Sequence, residues 1–108
     1  MSDEEHLLIV FLAGLASDPI DLTDLSSTPV WPMNDGYMGG LRIGPRVPES
    51  ALSIASSAEG EDGDGVSLSI ALFIDSQRRP RELDIWKVDF TRLLRLPQPD
   101  TLRPVPAS

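Results

Sequence analysis

Cysteine is missing from this chain, which removes disulfides, thiolate nucleophiles and sulfur-ligated metals together and fits a reducing compartment. Histidine is nearly as scarce. His6 alone is present, in the first turn of an expected helix where the ordinary role is a solvent-facing one. A zinc site needs three or four ligands, and a serine or threonine nucleophile needs a base at hand; neither set is visible, and no Gly-x-Ser-x-Gly occurs. Long apolar runs are lacking as well. Leu7 to Leu15 (LLIVFLAGL) is too short to cross a bilayer, and the residues ahead of it are acidic, whereas a secretory signal begins with basic ones. The expectation is a soluble, cytoplasmic protein without a cofactor.

Positive charge is also short, and unevenly so. Residues 1–75 hold 13 acids and only Arg42 and Arg46, a balance of -11, while residues 76–108 hold seven bases and four acids, +3. A net charge of -8 should repel nucleic acid and anionic lipid, both of which are bound through clustered Lys and Arg. A basic protein partner would be attracted instead. With 108 residues the chain makes one domain that buries roughly 60–70% of the surface its unfolded form exposes.

Ser2-Asp3-Glu4-Glu5 has the spacing of a capping box, with acids facing the helix dipole, and predicts a helix from about Asp3 to Ala13. Because residues 7–13 are apolar all round, a buried strand competes with it. Asp18-Pro19 repeats a start signal, and Ile20, Leu22 and Leu25 would face inward on a second, short helix. Beyond it the apolar period becomes two. Val30 to Met33 can be a strand only at an edge, since Pro32 has no N–H to offer. Asn34-Asp35-Gly36 and Gly39-Gly40 predict a tight turn into a strand at Leu41 to Ile43. Val66, Leu68, Ile70, Leu72 and Ile74 alternate with smaller or polar residues, the pattern of a half-buried antiparallel strand. Strands near 50–57, 66–74 and 82–89 would then form a meander. Residues 1–96 form the domain, and the four prolines of residues 97–108 mark an extended tail. The fold class is α+β: one N-terminal helix, with room for a second, on a mainly antiparallel sheet of four or five strands.

Two stretches bear on function. Ala58 to Gly65 (AEGEDGDG) reads as a solvated hairpin tip, as a contact surface for a cationic partner, or as a calcium loop; the last lacks the spacing and the closing bidentate Glu. In Glu82 to Phe90 (ELDIWKVDF), one strand face would hold Leu83, Ile85, Lys87 and Asp89 and the other Glu82, Asp84, Trp86, Val88 and Phe90. Neither face is uniformly apolar. A twisted or bulged last strand with solvated charges accounts for it, and so does a binding edge with Trp86 as anchor. Glu82 and Asp84, i and i+2 at roughly 7 Å, are not a specific acid–base pair, and only a pocket gathering them with Asp35 would revive an enzyme.

Met33 to Arg42 (MNDGYMGGLR) and Arg81 to Phe90 followed by Leu93 together resemble a small bacterial domain-of-unknown-function family. It carries an M-N-D-G-x-M-G-x-L turn and a C-terminal E-L-D-x-W-K-x-D-F motif. Members resemble proteins found beside polymorphic secreted toxins. The resemblance implies no catalytic residues; it implies a non-enzymatic immunity protein that binds a toxin domain and occludes its active site. The acidic balance fits a basic nuclease as that target. On this view Glu59, Glu61, Asp62 and Asp64 would steer the partner and Asp35, Tyr37 and Trp86 would anchor it. The alternative is a structural subunit that dimerises through Trp31, Tyr37 and Trp86.

Overall fold

The computed structural model describes residues 1–33 and 38–106. Its helix α1 (Asp3–Leu15) begins as the capping box requires: the Ser2 hydroxyl accepts the Glu5 N–H at 3.1 Å, and the Glu5 carboxylate accepts the Ser2 N–H at 2.7 Å. Two of the four orphan donors of the first turn are thereby satisfied, a gain of about 1 kcal/mol. That local stability resolves residues 7–13 as helix. Leu8, Ile9, Leu12 and Ala13 are its buried side chains.

Six strands follow: β1 (Val30–Pro32), β2 (Leu41–Ile43), β3 (Ser53–Glu61), β4 (Ser67–Ile74), β5 (Pro80–Lys87) and β6 (Arg103–Pro104). They form one sheet in the order β1-β2-β5-β4-β3-β6, antiparallel at every pairing. The expected α+β architecture is thus present, with one helix and with six strands instead of four or five. The additional strand comes from the proline-rich segment. Leu102 is buried beside Gly60, where a Cβ would stand 2.7 Å from its Cδ2, and this anchors Arg103 and Pro104 beside Ala58 and Glu59.

A second helix does not form. Between α1 and β1 there is only a three-residue 3-10 turn, Leu25–Ser27, with Leu25 buried. Proline disfavours the α region for the residue before it, here Asp18. The backbone from Asp18 to Asp21 is instead tied to the β4–β5 turn. Arg78 donates to the Asp18 and Pro19 carbonyls at 3.0 and 2.7 Å, and the Asp21 N–H donates to the Arg78 carbonyl at 2.9 Å.

α1 packs on β3 and β4. Leu68, Ile70 and Leu72 of β4, Leu83 and Ile85 of β5, and Ala58 of β3 are all buried with it in one core. The alternating residues point the other way, where Ser67, Ser69, Ile54 and Trp86 are exposed. The sheet is covered on one face and open on the other.

Candidate functional site

The motif strand explains itself once β5 is placed. It runs from Pro80 to Lys87 and stops two residues short of the expected end; Phe90, at φ 61, lies in the turn beyond. Leu83, Ile85 and Lys87 therefore share the covered face, and the lysine occupies a core position in phase with two aliphatic residues. Its side chain is fully buried.

A buried ammonium needs charge and acceptors around it. Lys87 Nζ donates to Asp62 Oδ2 at 2.8 Å, to Asp64 Oδ2 at 2.7 Å and to the Arg92 carbonyl at 3.0 Å, which uses all three of its N–H bonds. Asp62 is buried too, and its carboxylate also accepts the Leu94 and Gly63 N–H groups at 2.8 and 2.7 Å. Burial alone would lower the Lys87 pKa, but the hydrogen bonds to both aspartates outweigh it and hold the ammonium above its ordinary value. Burial likewise pushes Asp62 up, and the bonds from Lys87, Leu94 and Gly63 prevail and hold it down. The cluster straps residues 92–94 across the hairpin tip. The cation that this acidic loop receives is the chain's own.

The four loop carboxylates expected to act together are consequently split. β3 continues through Glu61, so the turn proper is residues 62–66. Asp62 and Asp64 turn to Lys87. Glu59 and Glu61 lie opposite Ser69 and Ser67 of β4, on the open face, where Arg103 of β6 approaches them at 3.6 and 3.4 Å. Trp86 stands opposite Ser69 on the other side of β4. The sheet register thus brings Trp86, Glu59 and Glu61 to one surface, with roughly 10 Å between the flanking strands. Asp35 and Tyr37 lie outside the described residues.

Sequence reasoning had placed Glu82 and Phe90 on the Trp86 face but had not found their contacts, nor Arg42. Phe90 meets Trp86 edge-on, 5.0 Å between ring centroids. Arg42 stacks 4.4 Å above the Trp31 ring, and its buried Nε has no hydrogen-bond partner among the described residues. Glu82 faces Arg42 across the β2–β5 pairing, yet the guanidinium is turned to the tryptophan. Burial, and then the charges of Asp84 and Glu49, hold the Glu82 carboxyl above its ordinary value. Beside these residues lies a cleft of about 420 Å³ lined by Trp31, Arg42, Val47, Glu49, Arg81 and Glu82. Among the described residues no three His, Asp or Glu side chains converge as a metal-ligand set, and no helix is long and apolar enough to cross a membrane.

One helix on a six-stranded antiparallel sheet with an uncovered face defines an α+β protein whose distinctive surface is the sheet itself. The chain belongs to the family described as a domain of unknown function, DUF6984, which matches residues 1–97. That description carries no activity and no immunity role. No curated protein and no solved structure matches the chain.

Proposed function

We propose that this is a non-enzymatic binding protein, and specifically an immunity protein that binds a bacterial toxin domain and occludes its active site. The observation that carries the proposal is the open sheet face, where exposed aromatic side chains stand among carboxylates on a chain of net charge -8. Exposed aromatics supply contact area at small entropic cost, and an acidic surrounding speeds encounter with a basic target and rejects acidic competitors. A basic nuclease domain fits best, since carboxylates displayed by the inhibitor would stand where its phosphate substrate binds.

The test is co-expression with the products of the genes adjacent to its own, to find a toxin domain that it neutralises. Growth rescue together with a one-to-one complex is expected. A well-folded chain that neither rescues nor binds would sink the proposal. A homodimer is the second reading, favoured by the exposure of both Trp31 and Trp86; a monomeric mass in solution removes it.

A further inference from the structure

The molecule's own construction decides where a partner can approach. α1 takes one face of the sheet. Each edge ends in a strand holding a proline, Pro32 in β1 and Pro104 in β6. Proline has no N–H to donate to an added strand, so edge pairing is obstructed at β1 and along the part of β3 that β6 covers, Ala58 and Glu59. The open face is the surface that neither α1 nor these strands cover.

Side-chain volume shapes that face. Ser67, Ser69 and Ala71 of β4 run along its middle and barely rise above the pleat, and Phe73, next on the same face, closes that end between Glu82 and Ile54. Across the register, Trp86 and Asp84 of β5 stand on one side and Glu59 and Ser57 of β3 on the other. The result is a shallow trough with an aromatic wall. Trp86 is 46% exposed and Phe90 65%, and Ile54, at the far end of the face, is 59% exposed. Such apolar area is a docking surface looking for cover.

Charge selects what covers it. Arg103 is engaged by Glu59 and Glu61, and Arg42 by Trp31. Glu82 lies opposite Arg42 and beside a cleft that Arg46 and Arg81 also line, yet it makes no salt bridge among the described residues; burial, and then the charges of Asp84 and Glu49, disfavour its ionised form. A second copy would set this acid-rich face against its duplicate, whereas a basic surface would relieve it. We propose that the open sheet face is the docking surface for a cationic protein partner, which lays a lysine or arginine against Glu82 and packs aliphatic or guanidinium groups on Trp86 and Phe90. The cationic toxin is taken from the function proposed above; the location is argued from the fold.

The experiment measures binding of the toxin domain identified by that co-expression, once purified, to the wild-type chain and to three variants. E82Q and W86A alter the open face; E4Q makes the same charge change as E82Q on the exposed first turn of α1, across the molecule. Thermal melts establish that all are folded, and E82Q, which removes a repelled charge, should melt no lower than wild type. Expected are losses of at least about tenfold for W86A and E82Q, a change within about twofold for E4Q, and a weaker salt dependence of association for E82Q. Tight wild-type binding that neither open-face variant disturbs overturns the docking surface and leaves the inhibitor function standing. No wild-type binding removes the function and this partner with it. A wild-type chain that is dimeric alone and monomeric as W86A gives the face to a second copy and overturns the proposal.

Discussion

Lys87 is a charged residue at a position that strand periodicity reserves for an aliphatic one, and its neighbours show why it is tolerated. Asp62, Asp64 and the Arg92 carbonyl give it three short hydrogen bonds. Removing one member of such a buried pair is costly because the other is left without compensation, whereas replacing both by apolar groups of similar volume is often close to neutral. Lys87→Met should therefore lower the melting temperature by more than about 10 °C, and Asp62→Leu, which also leaves the Leu94 and Gly63 N–H groups without their acceptor, should cost less on the Lys87→Met background than on the wild type. Thermal unfolding of both single variants and the double checks this; losses that simply add would mean that the cluster is not a coupled unit. The sequence displayed half of this arrangement. Lys87 falls in phase with Leu83 and Ile85, which marked an anomaly in ELDIWKVDF. Its partners lie 23 and 25 residues earlier in a loop whose composition is that of any solvated turn.

At the scale of elements, the helix and the long strands follow from local rules, and the sixth strand does not. α1 was legible because its cap is written in four consecutive residues, and β4 because five apolar residues alternate without interruption. β6 has only two residues, one of them proline, and no propensity argument selects it. It exists because Leu102 fits against Gly60, which lets the Val105 N–H donate to the Ser57 carbonyl at 3.0 Å. A side chain at position 60 removes that notch. Gly60→Val should expel Leu102 and release residues 98–106, seen as amide exchange at Val105 accelerated by at least about tenfold with the core strands still protected. Unchanged exchange at Val105 would show that the segment is held by something other than this notch. The missing second helix has a comparable origin: Asp18-Pro19 offers a start signal, and Arg78, some 60 residues away, takes the carbonyls.

Across the whole molecule, the uneven charge of the sequence turns out to be an internal fit. Each ion pair among the described residues joins a base from residues 76–108 to an acid from residues 1–75: Arg79 to Asp21, Arg81 to Asp75, Lys87 to Asp62 and Asp64, Arg103 to Glu59 and Glu61. The acid excess that remains is what a basic partner would meet. These pairings also make stability depend on pH. For Asp75, burial pushes the carboxyl up, and bonds from the Arg79 N–H, the Arg81 guanidinium and the Gln77 N–H outweigh it and hold it below its ordinary 3.8. Asp62 and Asp64 are lowered in the same way. A carboxyl depressed in the folded state binds protons more readily when unfolded, so its contribution is complete above the ordinary value and is lost as pH falls through the folded one. Stability should hold between pH 7 and 5 and drop steeply below about pH 4, more gently in Asp75→Asn. Melting curves across that range check it, and identical acid profiles for the two proteins would take Asp75 out of the account.

By itself the sequence determined the features that neighbouring residues or composition can specify: the capped helix, the alternating strands, the edge position of Pro32, the exclusion of thiol chemistry, and the sign of the net charge. Those are set by backbone propensity, side-chain period and composition, all of which act over a few residues or over the chain as a sum. Only the tertiary structure decided which carboxylates are buried against Lys87 and which stay on the open face beside Arg103. Asp62 and Asp64 differ from Glu59 and Glu61 by a few positions in one acidic run, yet the end of β3 at Glu61 sends the first pair to a buried lysine and leaves the second on the open face. That division depends on strand register and on contacts between residues far apart in the chain, where the energy of an ion is set by what surrounds it and not by its neighbours in sequence.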